Sequence, residues 1–503
     1  MNPARLEKAK PLGMGIMLAL AAGVAMALGV TISVTASHPE SSSAQTVSKP
    51  NIIYIVTDDM RYDDLKARYM PKTYSLLANQ GMTFKNAFVS TAWCCPSRAT
   101  TMRGQYAHNT GVWSIANSYD PDPSVPDGGW EGYKGNGLED DNIATRLDAA
   151  GYRTGLFGKY LNHYRGTRVP RGWDDWFAFR SSAYYDYYVN DNGTKKYFGK
   201  TASAYSTDVL SRETRHFIRA SVAQSKPFFA YVAPFAPHDP YPGIIPRHEH
   251  DFDGEKAPRL PSFNELDVSD KSPWIQSLPR LSSIKIATIN KRHEDRVESL
   301  RSVDDLVGAV VDKLKSYPGV LQNTYIVFTS DNGWHLGEHR IPEEKNRPYE
   351  EDHHIPLVIA GPGIAAGSTT NKLALNTDYL PTFTKLAGVQ IPSYVDGRSL
   401  RPVLMRNVTT WRTTILLEGH GFQLGIPKVE RNYSAIRTRT TKYVEYEGGF
   451  RELYDLSTDP YELDNNYNST TLPPTLAQRM QALKTCAAGA KAPAVTCQTA
   501  EGG

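Results

Sequence analysis

The chain has 503 residues, enough for one large domain with an appendage, and its 56 Lys and Arg against 53 Asp and Glu leave a formal charge of +3. With no basic tail and no block of like charge, the sequence argues for no particular polyanionic partner, and nucleic acid is a poor first guess. Only four cysteines are present, and two of them, Cys94 and Cys95, are adjacent. Direct neighbours rarely bond to each other, because the small ring strains the peptide between them.

Arg5, Lys8 and Lys10 precede a long uncharged run from Pro11 to Ser37. Positive charge followed by an apolar stretch is an export pattern, so residues 1–36 are expected to be a signal peptide or an N-terminal membrane anchor. Val34 and Ala36, or Ser42 and Ala44, satisfy a small-x-small cleavage rule. Either way the remainder is delivered outside the cytoplasm, where disulfides persist. Residues 37–50, SHPESSSAQTVSKP, read as a polar linker.

NIIYIVTDDM (51–60) is a β-branched, aromatic run ending on Asp58 and Asp59, the pattern of a buried strand. TAWCCPSRATT (91–101) follows, then GYRTGLFGKYL (151–161). YYDYYVNDNGTKKYF (184–198) carries a DNG turn between aromatic runs and predicts a β-hairpin, with packing or the lining of a sugar cleft as alternatives for its tyrosines. PFFAYVAPF is a further apolar strand, and APHDPY (236–241) after it supplies His238. Residues 251–281 are Pro-rich and aperiodic, a long loop of the kind that determines specificity. EDRVESLRSVDDLVGAVVDKLK (294–315) places Val297, Leu300, Val303, Leu306, Val307, Val310 and Leu314 on one helical face.

NTYIVFTSDNGW repeats the first strand's design: an apolar run over 325–329 stops at Asp331 and Asn332. Strands alternating with helices imply a large, mostly parallel α/β sheet with its site at the strands' carboxyl ends. Three carboxylates and an amide oxygen meeting there would form an oxygen-only cage suited to Ca²⁺, or to Mg²⁺, rather than zinc. Taken alone, either the Asp58-Asp59 or the Asp331-Asn332 pair reads better as turn or N-cap residues, and only the motifs that follow favour the cage. From about Arg401 the pattern changes to short β-like runs and a final helix, TLAQRMQALKTC. A small C-terminal antiparallel sheet plus helix is expected over 401–503, beside a main domain over 51–400. Cys486 and Cys497 close a short loop near the flexible end of an exported chain and are expected to pair, a gain of ~3 kcal/mol.

Cys94-Cys95-Pro96-Ser97-Arg98 matches the C-x-P-S-R signature of sulfatases, and the chain resembles that family from about Asn51 onward. GYRTGLFGKYL resembles the second sulfatase signature, with Lys159 as its lysine and a bulkier Phe157 than is usual. His238, Lys345 in the polar loop after SDNG, and ELYDLSTDPYELDN (452–465) occur in the family's order. Within the family, the SVDDLVG, SDNGWH and GPGI segments most resemble the branch containing N-acetylglucosamine-6-sulfatase.

The resemblance implies an alkaline phosphatase-like fold and hydrolysis of a sulfated small molecule or carbohydrate. It implies that a separate formylglycine-generating enzyme oxidises Cys94 to formylglycine (3-oxoalanine), with Cys95 at the variable position. The metal would be held by Asp58, Asp59, Asp331 and Asn332 together with the residue derived from Cys94. Arg98 would brace the formylglycine turn and the Asp ligands, while Lys159, Lys345 and His238 neutralise the sulfate oxygens and steady the leaving group. One departure stands out: many sulfatases have His two residues after the GK lysine, and here that residue is Leu161, leaving His335 or His163 as candidates for the proton transfer that releases sulfate. A phosphate or phosphonate monoesterase of the same superfamily, or a catalytically silent surface protein, are the alternatives.

Overall fold

The computed structural model describes residues 49–118, 127–240, 244–420, 432–470, 472–487 and 496–502. The signal or anchor expected over 1–36, and the linker as far as Ser48, lie outside them.

The main sheet contains, in chain order, β1 (Asn51–Thr57), β2 (Met82–Phe84), β3 (Arg153–Gly158), β4 (Asp175–Phe179), β5 (Tyr187–Asp191), β6 (Thr194–Phe198), β7 (Phe228–Ala233), β8 (Thr324–Ser330), β9 (Leu357–Ala360) and β10 (Ser368–Thr370). Across the sheet the order is β10-β2-β9-β8-β1-β7-β3-β4-β5-β6. The centre, β8-β1-β7-β3-β4, is parallel. Antiparallel pairings join β9 to β8 and β2 on one side and add the β5-β6 hairpin on the other. That hairpin is the one legible in the DNG turn, where Asn192 (φ 49°) and Gly193 (φ 92°) both take the left-handed backbone such two-residue turns need.

Every residue of β1 is buried, because the sheet is covered on both faces. Ile52, Tyr54 and Val56 enter one core, which includes Cys95, Ala99 and Met102 of helix α1 (Cys94–Arg103). Ile53 and Ile55 enter the other, against α2 (Ser206–Ala223) and α3 (Ser283–Lys315). All seven residues of the expected apolar stripe on α3 are buried there. The helix begins fourteen residues before the first residue of that stripe, in a stretch whose Ile284 stays exposed and so gives no one-sided pattern.

The C-terminal region forms a four-stranded antiparallel sheet, β11 (Ile415–Gly419), β12 (Tyr433–Arg437), β13 (Thr441–Tyr446) and β14 (Arg451–Asp455), with helix α4 (Pro474–Lys484) packed on it. Cys486 and Cys497 are joined in a disulfide, and Cys94 and Cys95 are buried free thiols. Residues Ser48–Gly503 form one compact unit. Among the described residues, no helix is long and apolar enough to cross a membrane.

Candidate functional site

Strands β1 and β8 run in parallel register, with Thr57 beside Ser330, so Asp58, Asp59, Asp331 and Asn332 leave the sheet at one place. Ser330 ties the two ends together: its Oγ accepts from Met60 N at 2.9 Å and donates to the Asn332 carbonyl at 2.8 Å. Asp59 N donates to Asp331 Oδ1 at 3.1 Å, and Asp59 itself turns through the left-handed region (φ 68°). Its carbonyl accepts from Arg296, a residue of α3 that lies 1% exposed in the second core.

Cys94 is the first residue of α1, where the helix dipole favours negative charge. Successive helical residues are rotated by about a quarter-turn or more, which separates the two thiols. Cys94 Sγ faces Asp58 Oδ1 at 3.6 Å and Asp59 Oδ1 at 4.0 Å, whereas Cys95 points into the core beside Ala99. Burial pushes both thiols up to about 12. One turn along α1, the Arg98 guanidinium donates from Nε to Asp331 Oδ2 at 2.7 Å and from Nη1 to the Lys159 carbonyl at 2.8 Å.

Lys159 follows β3 directly. Gly158 before it has φ 113°, and a Cβ there would stand 2.0 Å from the Ala233 carbonyl oxygen, so only glycine lets β3 approach β7 closely enough. From this turn Lys159 Nζ reaches Asp58 Oδ2 at 2.6 Å. Lys345 arrives from the loop after β8, hydrogen-bonding to Asp59 and lying 3.0 Å from Cys94 Sγ, with the Trp334 ring centroid 5.5 Å from its ammonium. His238 Nε2 stands 3.6 Å from Asp59 Oδ2.

The result is a buried cluster of three carboxylates and three permanent cations. Burial raises the Asp58 carboxyl, but Lys159, His238, Arg98 and Lys345 together overcome it and hold it below the usual carboxylate range. Asp59 is likewise lowered, mainly by Lys345 and His238 against burial. Asp331 moves the other way: burial raises it, Arg98 opposes and Asp58 adds to the rise. Only His238 among these side chains is appreciably exposed, at 23%.

All nine residues singled out in the sequence are thus placed in or directly against one cluster. The two histidines suggested in place of Leu161 are not. His163 is exposed, and His335 lies fully buried with Nδ1 on Asp352 Oδ1 at 2.7 Å. Leu161 itself is buried in the first core. Arg296, Ser330 and Trp334 went unnoticed in the sequence: a lone arginine on an otherwise polar helix flank, a serine and a loop tryptophan carry no local signal.

Residues 50–389 match the Sulfatase family, and residues 337–488 match the family described as N-sulphoglucosamine sulphohydrolase, C-terminal. The fold thus defines an α/β protein with a large, mostly parallel sheet covered by helices and a small C-terminal antiparallel sheet. The chain belongs to the sulfatase family.

It is 36% identical over 402 residues to an extracellular sulfatase SULF-1 homolog of Drosophila melanogaster, covering 76% of this chain and 35% of that protein. It is 32% identical over 476 residues to N-acetylglucosamine-6-sulfatase of Homo sapiens, covering 86% of this chain and 83% of that one. This chain therefore spans about a third of the Drosophila relative and 52% of a Caenorhabditis elegans Sulf-1 homolog. Among solved structures, BT4656 in complex with D-glucosamine-2-N,6-O-disulfate superposes with a TM-score of 0.70 at 24% identity, covering 87% of this chain and 97% of that one. The phosphonate monoester hydrolase of Agrobacterium radiobacter gives 0.66 at 22% identity, covering 86% and 95%.

Proposed function

We propose that the protein hydrolyses sulfate esters, with a sulfated sugar as substrate class, at a nucleophile derived from Cys94. The observation that carries this reading is Cys94 at the start of α1, inside a cage where Lys345 Nζ lies 3.0 Å and an Asp58 oxygen 3.6 Å from its sulfur. An unmodified thiol held up to about 12 is protonated at neutral pH and ill suited to attack. Formylglycine at this position supplies, as its hydrate, one hydroxyl to attack sulfur and a second whose loss of a proton releases sulfate. A formylglycine-generating enzyme is then a required partner.

The donors present fit a divalent cation. Asp59 Oδ2 and Asn332 Oδ1 are buried and have no hydrogen-bond partner, and orphaned oxygens of this kind are costly unless a cation meets them. Asp58, Asp59, Asp331 and Asn332 offer oxygen alone, which selects Ca²⁺ or Mg²⁺. A cation held there would polarise a sulfate oxygen and would lower the pKa of the attacking hydroxyl. Lys159 and Lys345 then meet the remaining sulfate oxygens, and Arg98 keeps Asp331 oriented. His238, the most exposed of these side chains and 3.6 Å from Asp59 Oδ2, would steady the leaving group.

The names of the relatives and the sulfated glucosamine bound by BT4656 support a sulfated sugar as substrate. Export is supported by the N-terminal sequence and by the extracellular sulfatases among the relatives. In this reading residues 51–400 carry the chemistry and 401–503 form the subdomain packed beside it.

The likeness to a phosphonate monoester hydrolase makes that chemistry the second reading. Protein co-produced with a formylglycine-generating enzyme is compared on aryl sulfate, aryl phosphate and aryl phosphonate esters. A higher kcat/KM on the sulfate is expected, whereas faster phosphate or phosphonate turnover reverses the assignment.

A further inference from the structure

Behind the cage, the segment that carries Asp331 and Asn332 continues into a second buried cluster. Buried atoms without a hydrogen-bond partner gather there: His335 Nε2, His339 Nε2 and Glu351 Oε2, with Glu338 Oε1 and Glu462 Oε1 beside them. Each histidine is held at its other nitrogen by a carboxylate, His335 Nδ1 by Asp352 Oδ1 at 2.7 Å and His339 Nδ1 by Glu265 Oε2 at 2.7 Å. Where the acid accepts from Nδ1, Nε2 presents a lone pair. Both imidazoles are fully buried, and burial drives them down to about 3, which keeps them neutral.

Donor atoms of His339, Glu351 and Glu462 lie within 4.8 Å of one another, and His335 Nε2 is 3.9 Å from Glu351 Oε2. Neighbouring ligands of a tetrahedral ion at ~2.1 Å stand ~3.4 Å apart, so these side chains must draw together around a bound ion. Lys442 stands 2.7 Å from Glu462 Oε1 and Arg61 Nη2 3.0 Å from Glu338 Oε1, which compensates those two carboxylates. Among the described residues Glu351 pairs with no Lys or Arg; burial, with Glu338 and Glu462, raises its carboxyl far above the usual range, against a smaller opposing effect of Arg61. A cavity of about 280 Å³ lined by Arg61, Tyr62, Glu351 and Tyr461 opens alongside and supplies a way in.

We infer that His335, His339 and Glu351, with Glu462 as a further ligand, form a second metal site that takes a zinc-type transition-metal ion. Two imidazoles with carboxylates select such an ion, in contrast with the oxygen-only cage in front of it. Its place gives it a structural task. His335 and His339 lie on the chain leaving Asp331 and Asn332, while Glu462 belongs to the C-terminal DPYEL segment. The ion thus clamps the subdomain to the segment that carries two ligands of the catalytic cage.

The test uses the full matured protein, stripped with chelator, resupplied with Ca²⁺ and titrated with Co²⁺ as the spectroscopic probe. About one equivalent producing the visible absorption of a low-coordinate nitrogen-oxygen site is expected, displaced by one equivalent of Zn²⁺. Glu351→Gln and His339→Gln should abolish the band, and Asp58→Asn should keep it. A band that survives Glu351→Gln but vanishes in Asp58→Asn places the ion in the catalytic cage and overturns the inference. So does the absence of any stoichiometric band in the unmodified protein. Where a variant does not fold, X-ray absorption of the zinc-loaded unmodified protein decides: two imidazoles in the shell support the site, and an oxygen-only shell sinks it.

Discussion

His108 is predicted to act as a charged latch between the main domain and the C-terminal subdomain. Its Nδ1 lies 2.7 Å from Glu418 Oε1 on β11 and its Nε2 3.0 Å from the Cys486 carbonyl. Both neighbours accept hydrogen bonds and neither donates, so only the doubly protonated imidazolium satisfies both. Burial lowers the pKa of His108, but Glu418 outweighs it, with Asp396 adding, and raises the group to about 9. In the unfolded chain the ordinary value is ~6.5, so the shift corresponds to ~3 kcal/mol. Because the folded value is the higher one, this contribution is fully present below pH ~6.5 and is lost as pH rises through ~9. His108→Gln removes the charge at every pH. Urea unfolding followed by tryptophan fluorescence should therefore show the protein ahead of the variant by a few kcal/mol at pH 6, with the gap closing by pH 10. Parallel profiles for the two, whatever their separation, would refute the reasoning.

Cys95→Ala should retain turnover and lose ~1 kcal/mol of stability in the same unfolding assay, since it removes one atom from the core and nothing from the cage. Asp58→Asn should lose its divalent ion by elemental analysis, while Lys159→Ala keeps the ion and turns over ~10²–10³ more slowly, because one builds the cage and the other meets the sulfate. Gly158→Ala should fail to accumulate as folded protein or melt far lower in calorimetry, since the added methyl meets the Ala233 carbonyl at 2.0 Å.

The strand ends were legible because a continuous β-branched run that stops abruptly at Asp has few other readings in a sheet covered on both faces. The α3 stripe was legible for the same reason, periodicity, and it stopped being so at Ile284, where exposure breaks the pattern. Lys345 was visible only through resemblance, since one lysine in a polar loop is unremarkable; its contacts with Asp59 and Cys94 depend on how that loop folds back. Arg296 shows the limit most clearly. On the helix pattern it reads as a solvated charge, yet it is buried and supports the Asp59 carbonyl from the far core, a contact 237 residues apart in sequence. Leu161 invited His163 by proximity in sequence and His335 by its place after SDNG, while the imidazole beside Asp59 is His238, from the loop after β7.

The central claim is that Cys94, and not its neighbour, becomes the nucleophile. Trypsin releases the peptide from Asn86 to Arg98, which contains both cysteines. Fragment mass spectrometry of this peptide, from protein co-produced with a formylglycine-generating enzyme and active on aryl sulfate, should place the aldehyde at Cys94 with Cys95 still a thiol. An aldehyde at Cys95, or equal aryl sulfate turnover by protein in which Cys94 remains an unmodified thiol, would contradict it.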